Sequence, residues 1–314
     1  MKIGFCLPHE TDAMGGDTAS GADVMQFARR AEEVGFDSVW LVDHFCYSAA
    51  GELEALGASA PPELVGRVYG AWECMVTAGA LARETRRVEI GTLVVNTGYR
   101  NPALLARMAD TVDELSEGRL ILGLGAGDFE SEHIAFGYPW ERRVGRFEEA
   151  LKIIRSLLRG EKVTFEGEFY TTHEAENIPR GPRAGGPPIM IGVLGRGPRM
   201  KRLVAQHADQ WNCWLASGDS HARAYVEIRD AMLAGCAKHG RDPATLELNV
   251  TVRVCPPGGE PVSEDMDPLT GSPAQIAEQL LEFEALGVGH ITVWPHPNTY
   301  ESLEVLGEVL QALP

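Results

Sequence analysis

Short runs rich in β-branched and aromatic residues alternate eight times with longer stretches of 3.6-residue periodicity, and this alternation constrains the fold more than any other feature of the chain. The runs lie near 2–7, 38–42, 88–95, 119–124, 188–193, 209–214, 247–254 and 290–294. A helix between successive strands returns the chain to the same edge, so the strands form a parallel sheet of the α/β class. Eight repeats with no second composition regime favour closure into a (β/α)8 TIM barrel; an open doubly wound sheet is the structural alternative. The 314 residues suit one barrel domain over 1–314. Two connections, 43–70 and 160–187, are too long for simple turns and read as lid or hairpin insertions.

Helix signals support the same scheme. Ser272 is suited to N-cap and Pro273 to the first helical position, residues 274–285 are good helix formers, and Gly287 stops the helix. Equivalent reasoning predicts helices over 22–34 and 102–116.

Composition excludes several classes. A formal charge of -17 with no basic run repels a phosphate backbone, so no nucleic-acid partner is expected. The six cysteines contain no CxxC pair and read as reduced thiols, neither a zinc site nor a disulfide framework. The strand-like Lys2 to Leu7 follows Met1 directly, and no apolar run is long enough for a bilayer, so no membrane partner and a soluble, cytoplasmic protein are expected.

In a parallel barrel, reactive groups sit just beyond the carboxyl ends of the strands. Asp43 and His44 follow the second strand, placing an imidazole at the mouth beside a carboxylate able to fix its tautomer or raise its pKa; a structural Asp-His pair is the plainer alternative. Gly123, Gly125 and Gly127 follow the fourth strand and admit a flat ligand close to the backbone before Asp128 presents a carboxylate. Asp128 stands where a dinucleotide fingerprint needs glycine, so a tight turn is the competing explanation and a Rossmann motif is not. After the fifth strand, Gly192 to Gly197 lead into Pro198 as a phosphate cradle on a helix start, with Arg196 the preferred cation among Arg196, Arg199, Lys201 and Arg202. His296 after the eighth strand would bring a second imidazole to the same end. Glu130, Glu132 and His133 crowd the loop after Asp128, yet without the spacing of a zinc site, and no metal is expected. Trp40 and Trp211 read as core, and Trp72 and Trp294 as pocket walls.

Four segments carry a resemblance: 31–45 with Asp43-His44-Phe45, 91–106 with Arg100-Asn101-Pro102, 115–127 with its three glycines, and 188–192. Together they resemble the bacterial luciferase-like monooxygenase superfamily, and the stretches 96–102 and 132–139 resemble its coenzyme F420-dependent oxidoreductase branch. The resemblance spans almost the whole chain. It implies a flavin or deazaflavin across the barrel mouth, backed by a third-strand bulge holding a non-prolyl cis peptide near Leu93-Val94. Cofactor contacts are implied for Asp43, Thr92, Leu93, Val94, Asn96, Gly125, Gly127, Ser131 and His133, with the phosphate on Gly192, Val193, Leu194, Gly195, Arg196 and Gly197. His44 and Asp128 fall where the deazaflavin branch acts on substrate, Asp128 standing where Glu is more familiar; His296 is the third catalytic candidate.

The expected cofactor is coenzyme F420, with FMN as the alternative. The first implies hydride transfer to or from a small-molecule organic substrate; the second implies monooxygenation with oxygen and a separate flavin or F420 reductase as partner. A non-catalytic flavin-binding protein and a barrel enzyme acting on a phosphorylated substrate are the remaining readings. The family's usual assembly implies a homodimer, with helix 102–115 as a contact.

Overall fold

The computed structural model describes residues 1–48, 50–51, 62–193, 197–259 and 261–314. Eight parallel strands follow the sequence pattern: β1 Lys2–Cys6, β2 Ser38–Leu41, β3 Glu89–Thr92, β4 Leu120–Gly125, β5 Ile189–Gly192, β6 Gln210–Trp214, β7 Glu247–Cys255 and β8 His290–Pro295. Neighbours in space run β1, β2, β3, β4, β5, β6, β7, β8, and β8 pairs back with β1, so the sheet closes with no edge. The expected barrel is the observed fold, and the open sheet is excluded by the β8–β1 and β4–β5 pairings.

Side-chain alternation along each strand explains both layers. Ile3 and Phe5, Val39 and Leu41, Ile189 and Ile191, and Ile291 and Val293 join the apolar layer under the helices. The intervening positions face the barrel interior, where Trp40, Leu93, Ile121 and Met190 form a separate buried cluster. Trp40 fits there because its neighbours lack side chains: a Cβ on Gly4 or on Gly91 would collide with its indole. Its Nε1 donates to Ser38 Oγ at 2.7 Å, and the same Oγ shares a 2.7 Å hydrogen bond with His290 Nε2, which ties these three side chains together. Burial holds His290 neutral, its pKa pushed down to about 3.

The helix predictions hold in detail. Helix Gly21–Val34 starts from a Ser20 capping box, and helix Pro273–Ala285 starts from a Ser272 capping box completed by Gln275. Helix Pro102–Leu115 takes Asn101 as N-cap. Gly287, at a φ of 85°, follows the last of the 273–285 turns. Within 43–70, Tyr47–Ser48 pairs antiparallel with Val68–Tyr69. Within 160–187, Val163–Glu166 and Thr171–Ala175 form a hairpin whose turn amides, on Glu168, Phe169 and Tyr170, donate to Glu149 of helix Arg143–Leu158. That hairpin therefore lies along the outside of the barrel. Among the described residues no helix is long and apolar enough to cross a membrane.

Candidate functional site at the barrel mouth

A cavity of about 430 Å³ opens at the carboxyl ends of the strands. Its floor is set by the end of the third strand. β3 stops at Thr92, the Leu93–Val94 peptide is cis, and the chain resumes extended pairing at Val95–Asn96 against Leu124 and Gly125. This lifts Val94 into the mouth between two glycines: a Cβ on Gly125 would lie 2.6 Å from Val94 Cγ2, and one on Gly192 would lie 2.8 Å from Val94 Cγ1. Small residues at the ends of β4 and β5 are required for the bulge and leave the wall beside it flat. Trp214 and Trp294 meet edge to face across 5.1 Å and form the opposite wall.

His44 lies just past β2 with its ring in the cavity wall. Its Nδ1 donates at 2.9 Å to Oε2 of Glu132, a fully buried residue of helix Glu130–Ala135. Glu132 also accepts the Phe45 amide at 2.7 Å, the Cys46 amide at 3.0 Å and the Tyr99 hydroxyl at 3.0 Å. Four donors hold both carboxylate oxygens, so Glu132 is fixed and fixes the imidazole. Burial alone would lower the His44 pKa, but the Glu132 hydrogen bond and the carboxylates of Asp128, Glu132 and Glu10 outweigh it and raise it to about 10. At neutral pH His44 is an imidazolium with Nε2 turned away from its anchor.

Asp128 is exposed in the cavity wall, and single side-chain atoms of His44, Asp128 and Glu132 lie within 4.8 Å of one another. Glu10, nearly buried beyond β1, accepts the Tyr47 hydroxyl at 2.9 Å and also faces the cavity. Tyr47 stacks on Phe129, with centroids 5.3 Å apart at 7°, and both rings flank His44.

A family model described as luciferase-like monooxygenase matches residues 1–257. The chain belongs to this family. Within it, the chain is 34% identical over 226 residues to an F420-dependent glucose-6-phosphate dehydrogenase of Amycolatopsis mediterranei (strain U-32), covering 71% of this chain and 60% of that one. It is 30% identical over 232 residues to a 5,10-methylenetetrahydromethanopterin reductase of Methanolobus tindarius, covering 74% and 60%. The chain thus spans 60% of the length of these two curated relatives. A solved F420-dependent secondary alcohol dehydrogenase, in complex with an F420-acetone adduct, shares the fold with a TM-score of 0.79 at 20% identity, over 100% of this chain and 99% of that one.

The luciferase-like fold gathers His44, Asp43, Leu93, Val94, Asn96, Gly125, Gly127, Asp128, Gly192 and Val193 around one cavity. Asp43 is turned to Arg100, which grips it with two bonds of 2.6 and 2.8 Å, and it also accepts the Asn96 amide at 3.0 Å. Glu73 is the second partner of Arg100. Asp43 therefore anchors the strand beyond the cis bond, and the partner of His44 is Glu132 instead. Thr92 is buried and exchanges two 2.8 Å bonds with the backbone of Gly123. His133 is buried too: its Nδ1 donates to Pro139 O at 3.0 Å and its Nε2 accepts from Asn96 Nδ2 at 2.9 Å, while burial lowers its pKa. It holds the Asn96 amide in place. Ser131 is exposed on the helix of Glu132 and outside the cavity lining.

His296 follows β8 but does not line the cavity, and burial followed by the nearby Arg253 lowers its pKa to about 4. Leu194, Gly195 and Arg196 lie outside the described residues. Gly197 is the N-cap of helix Pro198–His207, away from the lining, while Arg199 and Arg202 both bind Glu148, at 2.9 and 2.8 Å. Trp40 and Trp211 are fully buried and Trp294 lines the cavity, whereas Trp72 is half exposed and outside its lining. Sequence reasoning missed Glu10 and the roles of Glu132 and Arg100; the crowding of Glu130, Glu132 and His133 was the only signal for Glu132.

Proposed function

We propose that this chain is a coenzyme F420-dependent oxidoreductase that transfers hydride to or from a small organic substrate. The His44–Glu132 dyad facing a glycine-floored cavity carries this reading, and the names of the relatives support it. The residues present fit a planar cofactor: Val94 on its bulge backs one face, Gly125 and Gly192 keep that wall flat, and Val193 and Gly127 continue it. Gly192 and Gly197 flank the stretch assigned to the cofactor's phosphate, with Arg196 as its cation. When bound, the deazaflavin supplies or accepts the hydride.

The chain's own contribution is a proton. His44 Nδ1 is committed to Glu132, so Nε2 is the atom that donates to a substrate carbonyl oxygen during reduction and accepts the hydroxyl proton during oxidation. The balance is one hydride at carbon and one proton at oxygen per carbonyl reduced. With its pKa raised to about 10, His44 is in the proton-donating form at neutral pH, the form that carbonyl reduction uses. Phe129 and Tyr47 flank the imidazole with apolar rings, and Trp214 and Trp294 line the far wall.

The test is an anaerobic assay in which reduced F420 is oxidised in the presence of a carbonyl substrate, run beside an oxygen-uptake assay with reduced FMN. Carbonyl-dependent oxidation without oxygen supports hydride transfer; oxygen uptake with FMN alone replaces it with monooxygenation. We further propose a homodimer through helices Cys74–Glu84 and Pro102–Leu115, on which Val76 and Leu104 are exposed. A monomeric mass in solution rejects that assembly.

A further inference from the structure

We infer that the substrate is an uncharged alcohol carrying a second, neighbouring hydroxyl, or the matching hydroxy-carbonyl compound, and that phosphorylated and carboxylate compounds are rejected. The inference rests on the proposed deazaflavin reading and specifies the substrate side of the same cavity.

Most polar groups of the cavity lining are already paired within the protein. Asn96 gives Oδ1 to the Gly98 amide and Nδ2 to His133. Asn212 gives Nδ2 to Asn249 and Thr251, and Asp43 is held by Arg100. Three groups remain on the His44 side: the imidazole Nε2, the Asp128 carboxylate and the Glu10 oxygen not taken by Tyr47. Among the described residues neither Glu10 nor Asp128 is in an ion pair. On the His44 side, one donor and two acceptor-only carboxylates therefore face the ligand. A substrate oxygen on His44 satisfies the donor. Only a ligand O–H or N–H satisfies the carboxylates, and an uncharged hydroxyl does so without burying another charge.

An anion meets the opposite conditions. Among the described residues the cavity's only cation besides His44 is Arg143, whose Nε donates to Gly127 O at 3.1 Å and whose guanidinium lies 4.1 Å over the Trp140 ring. Its position is set by these two contacts, on the Gly127 and Trp140 side of the cavity. Residues 52–61, outside the described set, contain Glu52 and Glu54 and no Lys, Arg or His, so they supply no cation. Arg196 is assigned to the cofactor's phosphate. A phosphate next to Glu10 and Asp128 would meet two carboxylates outside any ion pair, against His44, whose charge is shared with Glu132, and Arg143, which is held over Trp140. The remaining wall, Phe129, Tyr47, Trp214 and Trp294, suits an apolar body or the C–H face of a ring. This substrate class departs from that named for the Amycolatopsis relative, a phosphorylated sugar.

The experiment uses the F420-saturated protein. Turnover is measured as kcat/KM for 1-phenyl-1,2-ethanediol and for two matched pairs, glycerol with glycerol 3-phosphate and glucose with glucose 6-phosphate, in wild type and in Glu10→Gln. The expected result is at least a tenfold preference for the unphosphorylated member of a pair, reduced fivefold or more in Glu10→Gln. Inorganic phosphate at 10 mM should leave diol turnover within twofold. Tyr47→Phe, which releases Glu10 while keeping its charge, should lower diol kcat/KM without lowering the exclusion of phosphate, and it serves if Glu10→Gln does not fold. Preference for a phosphorylated member, inhibition by sub-millimolar phosphate, an unchanged ratio in folded Glu10→Gln, undiminished diol kcat/KM in Tyr47→Phe, or turnover of none of the five compounds by protein that binds F420 overturns the inference. Failure to bind F420 refutes the cofactor reading instead.

Discussion

Replacing Glu132 with Gln isolates the electrostatic part of the dyad. The side chain keeps its size and still offers an oxygen to the Phe45 and Cys46 amides, but it loses the charge that faces His44 Nδ1 at 2.9 Å. In the wild type, His44 is raised from 6.5 to about 10. At 1.36 kcal/mol per pH unit, the imidazolium is favoured by roughly 5 kcal/mol, with Glu132 supplying the hydrogen bond and Asp128 and Glu10 assisting from further away. Removing the Glu132 charge leaves burial opposed only by the two weaker partners, so the midpoint falls by about two units or more. The assay is a histidine-labelled NMR titration of the protein without substrate, with the His44 signal assigned by its loss in His44→Gln and folding checked by near-ultraviolet circular dichroism. The pH limit of carbonyl reduction should move down in parallel. A folded Glu132→Gln protein whose His44 midpoint stays within one unit of the wild type would refute the claim that Glu132 sets the charge state of this imidazole.

Other perturbations separate the parts of the site. Gly125→Ala places a methyl 2.6 Å from Val94 and should weaken cofactor binding at least tenfold, with Val94→Ala in the same chain restoring much of it; unchanged binding in the single variant argues against a tight bulge. Arg100→Met leaves Asp43 buried without its cation and should cost about 3–5 kcal/mol in urea unfolding, a loss under 1 kcal/mol contradicting the anchoring role. Gly4→Ala should cost about 1–3 kcal/mol, because the interior around Trp40 has no room for a methyl; a neutral effect means the barrel floor relaxes freely. Stability should fall on both sides of neutrality. His44, raised to about 10, stabilises below pH 6.5 and loses that contribution as pH rises toward 10, whereas His290 and His296, lowered to about 3 and about 4, stabilise above 6.5 and lose theirs as pH falls. A melting temperature that is flat from pH 4 to 10 contradicts those assignments.

The barrel was legible because both of its signals are local: strand runs of period two and helix starts such as Ser272-Pro273 depend on neighbours in the chain. The mouth was half legible. His44, Asp128 and the glycines of β4 were visible because they directly follow strands. The partner of His44 was not, since Glu132 lies 88 residues away on a short helix whose docking depends on tertiary structure. Asp43 was the natural partner by sequence, but successive residues leaving a strand point to opposite sides, which turns Asp43 toward Arg100. His133 looked available beside Asp128, yet a backbone carbonyl and the Asn96 amide take both its nitrogens. Glu10 gave no signal, because its place in the wall comes from an isolated bridge between Glu10 and Ala71 and from the Tyr47 hydroxyl.

The cofactor assignment is the centre of the account, and its most direct test is equilibrium titration of the purified protein with F420 and with FMN, each oxidised and reduced. Quenching of Trp214 and Trp294, which line the cavity, provides the signal, and Trp294→Phe should diminish its amplitude. The account predicts F420 binding at micromolar concentration or tighter, about 8 kcal/mol or more, with FMN at least tenfold weaker. Selective binding of FMN, or of neither, would contradict it.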